Sequence, residues 1–204
     1  DYLIKVIENQ EVKAEHLLCH SKLGMTVWNG KKIFKGATGI GLTSRYTGKL
    51  RVAPKGSYKK YLDMLRSEVL GHTPMEFILS ASISGLLVDY LKESISVENI
   101  MVHMIGESST GKTTGALLSV SCGSAPDFLG NNFVFSFQDT LNSLMRLIPN
   151  SYPTLIDEGS LLTDRDMTQT LYSLSSGTEK RRLSGSMEVN ESSRFRTALF
   201  LTSE

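Results

Sequence analysis

Apolar and polar positions alternate in two different rhythms along the chain. The first fifty residues read as β. Met25-Thr26-Val27-Trp28 and Lys31-Lys32-Ile33-Phe34 flank Asn29-Gly30, a pair suited to the two φ > 0 positions of a type I′ hairpin turn. Leu42 to Val52 reads as a second hairpin with Thr47-Gly48 at its tip. Ser57 is placed to cap a helix running to about Val69. Thr73-Pro74 opens another, with an apolar face of Phe77, Ile78, Ala81, Leu86 and Tyr90.

From residue 99 the rhythm becomes strand–helix alternation. Asn99 to Ile105 reads as strand, followed by a Gly-containing loop and a helix to about Val120. Ser136 to Leu147 reads as helix, Tyr152 to Ile156 as a short buried strand, and Asp164 to Ser175 as a helix broken by Gly177. Lys180 to Glu188 reads as a hairpin around Ser184-Gly185, and Thr197 to Thr202 as a last buried strand. Such alternation predicts a parallel sheet covered by helices on both faces, an α/β class. The expected organisation is a smaller β-hairpin-rich and helical part over residues 1–95, followed by an α/β core over 96–204.

Composition narrows the class. The 204 residues carry 22 Lys+Arg against 21 Asp+Glu, a formal charge of +1, which disfavours a polybasic protein that coats nucleic acid by charge alone. The mixture is globular, not fibrous or disordered. Cys19 and Cys122 have no metal or disulfide spacing and read as reduced thiols of a cytoplasmic protein. The apolar stretch from Phe77 to Val88 contains Ser80, Ser82 and Ser84 and stops at Asp89, so no membrane span is expected. No secretory signal pattern opens the chain. A start at Asp1 and an end at Glu204, directly after an apolar run, read as a piece of a longer protein.

The strongest chemical signal is Gly106-Glu107-Ser108-Ser109-Thr110-Gly111-Lys112-Thr113, which fits G-x-x-x-x-G-K-[ST] at every fixed position between a strand and a helix. A helix N-terminus leaves unpaired N–H groups and partial positive charge. Gly106 and Gly111 are expected to let the backbone turn so that these groups converge on a phosphate. Residues 106–114, including Thr114, are the expected ATP-binding loop. Lys112 would sit against the β- and γ-phosphates, and Thr113 would take one position on Mg²⁺. Glu107, an acid in an anion-binding loop, must point outward.

Leu155-Ile156-Asp157-Glu158 ends the second strand of this unit, where a Walker B sequence belongs. Asp157 would hold Mg²⁺ and Glu158 would polarise the attacking water. Neighbouring side chains at a strand end point opposite ways, so the two acids can serve two places. The Asp-Glu pair favours an ATP-hydrolysing motor of the AAA+ or RecA type over a nucleotide kinase, and the Asn-Lys-x-Asp of small GTPases is absent. Thr202, with Ser203 in reserve, ends the last strand and is the candidate sensor 1 facing the γ-phosphate. Lys180, Arg181 and Arg182 suit phosphate contact with single-stranded DNA; a plain solvated face is the alternative. Arg181, Arg182 or Arg194 would equally suit an arginine finger reaching a neighbouring subunit. Trp28 and its lysine-rich hairpin read as packing on the ATPase core in preference to contacting nucleic acid.

Residues 106–114, 155–158, Leu-Ser-Ser-Gly at 174–177 and Arg-Thr-Ala-Leu-Phe-Leu-Thr-Ser-Glu at 196–204 resemble a bacterial and phage AAA+ group, domain-of-unknown-function family nine-twenty-seven. The resemblance covers residues 100–204 well and the front half loosely. It departs at Asn142, where a Glu is expected, and at Ser203, where the family usually has Gly. Members occur on phages, plasmids and genomic islands, often beside primase modules, and are similar to MCM-like and superfamily III helicases. The resemblance implies a P-loop ATPase core, truncated after the sensor strand, of a ring-forming (hexameric) DNA helicase or helicase-primase from a phage or mobile element. The alternative is an ATP-gated loader or scaffold that binds protein partners without translocating.

Overall fold

The computed structural model describes residues 2–13, 18–37, 44–91, 94–159, 164–178 and 194–204. The chain opens with helix α1 (Tyr2–Lys13), where a β-rich start was expected. Leu3, Ile4 and Ile7 recur at helical spacing, and that period overrides strand propensity. Two short strands follow, β1 (Cys19–His20) and, after the next pair, β4 (Arg45–Tyr46), which run parallel to each other. That pairing replaces the second hairpin expected over 42–52.

The first hairpin forms as read. Strands β2 (Gly24–Trp28) and β3 (Lys31–Lys35) pair antiparallel around Asn29 (φ 48) and Gly30 (φ 73). Its base is docked tightly: Gly24 has φ +93, and a Cβ there would lie 1.9 Å from the Asn150 carbonyl oxygen. Asn150 ties three distant segments together. Its Nδ2 donates to the Met25 carbonyl (2.9 Å) and to Asp89 Oδ2 (3.1 Å), and its Oδ1 accepts from the Arg196 N–H (2.8 Å).

Ser57 caps α2 (Tyr58–Met64) by accepting from the Lys60 N–H, and the helix widens into a π turn over Leu65–Val69. Helix α3 (Thr73–Leu91) is, among the described residues, the one helix long and apolar enough to cross a membrane by length and composition. Its seated face is Ile78, Ala81, Ser82, Gly85 and Val88, packed against the sheet. Of the expected face, Ile78 and Ala81 are seated and Leu86 packs at its margin, while Phe77 and Tyr90 are exposed. The face is chosen by Gly85, which is the only way the helix can approach β8 so closely. A Cβ at Gly85 would lie 2.6 Å from the Ala198 nitrogen. Gly85→Ala would gain about 1 kcal/mol in a free helix. Here it is expected to destabilise the fold by about 1–3 kcal/mol, because backbone cannot yield as a side chain does. Thermal unfolding of the variant checks this.

The core is a four-stranded parallel sheet in the order β5-β8-β7-β6. Its strands are β5 (Ile100–Ile105), β6 (Val134–Ser136), β7 (Thr154–Asp157) and β8 (Ala198–Ser203). Helix α4 (Lys112–Val120) follows β5, α5 (Leu141–Leu147) follows β6, and α6 (Asp164–Ser176) follows β7. Strand β6 and the start of α5 correct the reading of Ser136 to Leu147 as one helix. Thr140 is the true N-cap, accepting from the Ser143 N–H, and Phe133-Val134-Phe135 is aromatic and β-branched, as strands prefer.

Alternate residues of each strand feed opposite faces. Ala198, Phe200 and Leu155 join Ile78 and Ala81 of α3 and Ala116 and Val120 of α4. Leu199, Leu201 and Ile156 join Leu144 and Met145 of α5 and Leu174 of α6. Helices therefore cover both faces, as the alternation predicts. The first cluster also takes in Leu23 and Val69, so residues from the front part pack directly on the sheet. Burial pushes the Tyr152 phenol up to about 12 and the Cys122 thiol up to about 11, which keeps both neutral packing groups.

Candidate nucleotide site

Parallel strands deliver their C-terminal ends to one edge, and the loops there form a cleft of about 410 Å³. Its walls are the loop from Ser108 to Thr114, the acidic pair Asp157 and Glu158, and Thr202 to Glu204. The loop turns where glycine is needed: Gly111 is the N-cap of α4 with φ +81. Ser109 also has φ 62, a conformation costly for a residue with a Cβ. Gly106 departs from expectation. Its backbone lies outside the left-handed region, and a Cβ there would make an ordinary 3.5 Å contact with Thr110 Oγ1.

Thr110 Oγ1 donates to the Glu107 carbonyl (2.8 Å) and fastens the loop. Lys112 Nζ donates to the carbonyls of Gly106 (2.6 Å) and Glu107 (2.5 Å), so the ammonium is held inside the loop's curve. The Glu107 side chain is exposed, as its charge requires.

The acidic strand meets the loop at Asp157. Its Oδ1 accepts from the Thr113 hydroxyl (3.4 Å) and from the Thr202 hydroxyl. Thr202 Oγ1 in turn accepts from the Glu158 N–H (3.3 Å). Strand β8 lies between β5 and β7, and that order is what inserts Thr202 beside Asp157. Thr202 is 2% exposed, so its hydroxyl is fixed in place by packing.

Glu158 points elsewhere. Its φ of 65 turns the chain at the strand end. Its Oε2 accepts from Ser136 Oγ (3.1 Å) and Gln138 Nε2 (3.2 Å), which come from the end of β6. Sequence reading missed both partners because it placed Ser136 and Gln138 in the first turn of a helix, where β6 ends and a turn follows. It also missed His103, whose Nε2 lies 2.8 Å from the Ser203 hydroxyl at the edge of the cleft.

Thr113 and Asp157 fit Mg²⁺: a hydroxyl and a carboxylate converge on one point, with room for phosphate and water oxygens. Among the described residues no cluster of three or more His, Cys, Asp or Glu forms a metal cage. A cation here would complete its shell from phosphate and water.

The sequence matches the family described as Domain of unknown function (DUF927) over residues 1–194. The chain belongs to the DUF927 family. The match takes in the whole front half, which sequence reading had related to the family only loosely. No curated protein matches the chain. Among solved structures that match is "SCCmec type IV Cch - active helicase", with a TM-score of 0.76 and 24% identity. The match covers 100% of this chain and 39% of that one, so the chain spans about two-fifths of that protein's length. The likeness establishes a P-loop NTPase-like α/β fold for this DUF927 chain.

Lys180, Arg181 and Arg182 lie outside the described residues. The ends that flank them are joined by an antiparallel bridge between Thr178 and Arg194. Arg194 is exposed and sits before β8, at the sheet edge away from the loop. Asn142 is exposed in the first turn of α5.

Proposed function

We propose that this chain is the ATP-hydrolysing core of a DNA helicase of a mobile element. One observation carries the reading: Asp157 accepts hydrogen bonds from both Thr113, in the first turn of α4, and Thr202, at the end of β8. The three side chains share one cleft with Lys112. This is the geometry required to hold a nucleotide's phosphates, a divalent cation and an attacking water within one shell.

In this reading the N–H groups at the start of α4 bind the phosphates, and Lys112 turns from its carbonyl partners to the β- and γ-phosphate oxygens. Thr113 and Asp157 hold Mg²⁺, which supplies charge neutralisation across the phosphates. Glu158 carries two hydrogen bonds on Oε2, and its Oε1 orients and deprotonates the water. Thr202 fixes the Asp157 carboxylate and senses the γ-phosphate. Lys180, Arg181 and Arg182 contact single-stranded DNA in the channel of a hexameric ring, beside a primase module where one is present. The name of the solved neighbour, an active helicase, supports the choice of a DNA motor.

ATP turnover of the intact protein, measured with and without single-stranded DNA, tests this. Turnover that rises with DNA is expected. Turnover indifferent to DNA would overturn the motor in favour of an ATP-gated loader or scaffold.

A further inference from the structure

A second cleft, of about 390 Å³, opens at the opposite edge of the sheet from the P-loop. The β2–β3 hairpin forms one wall, through Thr26, Val27 and Lys32, and Arg194 and Phe195 form another. Asn150 lies at its floor and anchors the hairpin base.

The hairpin is seated at its base and open at its tip. Gly24 is buried, whereas Val27 and Trp28 are 65% and 51% exposed. Phe34 meets Tyr152 in a tilted contact with centroids 5.5 Å apart, and Lys32 Nζ donates to the Tyr90 carbonyl (3.1 Å). Trp28 pairs with Lys31, on the same side of the ribbon as Lys35, whose Nζ lies 5.5 Å from the Trp28 ring centroid. A large aromatic ring is thus half open to solvent on a hairpin anchored at its base, with the Lys35 ammonium over one face. Gly24 to Lys35 contains Lys31, Lys32 and Lys35 and no carboxylate. An open ring flanked by cations suits a base stacked between two phosphates, and it would repel an acidic surface's opposite, a basic protein partner.

We propose that the open tip of the β2–β3 hairpin binds single-stranded DNA, with Trp28 stacking on a base and Lys31 and Lys35 meeting the flanking phosphates. The proposal rests on the helicase reading above and assigns it a contact in the front half of the chain.

Trp28 is the single tryptophan of the sequence, so its emission reports this site directly. The chain is titrated with oligo(dT) of about 16 nucleotides, following Trp28 emission and the anisotropy of a labelled copy. Saturable quenching in step with anisotropy is expected. Trp28→Ala should weaken binding by about 5- to 150-fold, and Trp28→Phe should keep most of it. Replacing Lys31 and Lys35 together by Ala should lower the log–log salt slope by about 1.4. All three side chains lie outside the buried core, so these variants fold if the parent does. Binding with unchanged emission and full affinity in Trp28→Ala would overturn the hairpin contact and leave the helicase reading intact. No binding at all would overturn both.

Discussion

Glu158→Gln is expected to lower ATP turnover by about 10²–10⁴-fold while leaving ATP affinity nearly unchanged. The substitution is close to isosteric, and the amide oxygen can still accept from Ser136 and Gln138. What it loses is the capacity to take a proton from water. Affinity should hold because Glu158 makes no hydrogen bond to Lys112 or Thr113 in the described structure; its side-chain partners come from the end of β6. Single-turnover hydrolysis beside equilibrium nucleotide binding separates the two effects. A variant that hydrolyses normally would show that another group activates the water, and Glu158 would then be only a surface carboxylate tethered to β6.

Lys112→Ala is expected to act on the other quantity, weakening ATP binding by about 10–100-fold. A hydrogen bond to a charged group contributes about 1.5–3 kcal/mol, and Lys112 supplies the one ammonium among the residues lining the cleft. The variant also loses the two bonds by which Nζ spans the loop from Gly106 to Glu107, so the empty loop should loosen as well. Isothermal titration with an ATP analogue measures the first effect, and hydrogen exchange over residues 106–112 the second. Undiminished affinity would remove the nucleotide-binding reading altogether.

How much of this was legible beforehand depends on how far apart the cooperating residues lie. The P-loop could be read because its chemistry is local: Gly111, Lys112 and Thr113 are consecutive, and the positive φ at Gly111 needs the residue present there. Asp157 and Thr202 lie far from the loop in sequence, yet each ends an apolar strand, and parallel strands bring such ends together. The tether on Glu158 was not legible. Ser136 ends a three-residue strand, too short for alternation to declare itself, and Gln138 lies in the turn that follows it. The seated face of α3 was read only in part for a related reason. Large apolar residues such as Phe77 and Tyr90 dominate a periodicity reading, while the close approach to β8 is set by Gly85, which adds no hydrophobicity. The expected second hairpin failed because Arg45 and Tyr46 find a parallel partner at Cys19 and His20, a pairing that no turn residue can announce.

The sheet order also has a consequence for how the chain folds. Strand β8 lies between β5 and β7, yet it is the last of the four in sequence; Ile105 and Ser203 pair across the whole α/β unit. Before β8 docks, β5 and β7 have no strand between them, and each presents an open row of backbone donors and acceptors. Pairings this remote in sequence close slowly, because the entropy of the intervening loop is lost before the contacts form. On a ribosome synthesising from the N-terminus, the P-loop therefore emerges well before the strand that completes its sheet. Until residues 198–203 are available, the growing chain holds an unfinished edge, and this interval is where chaperone capture or aggregation would compete with folding.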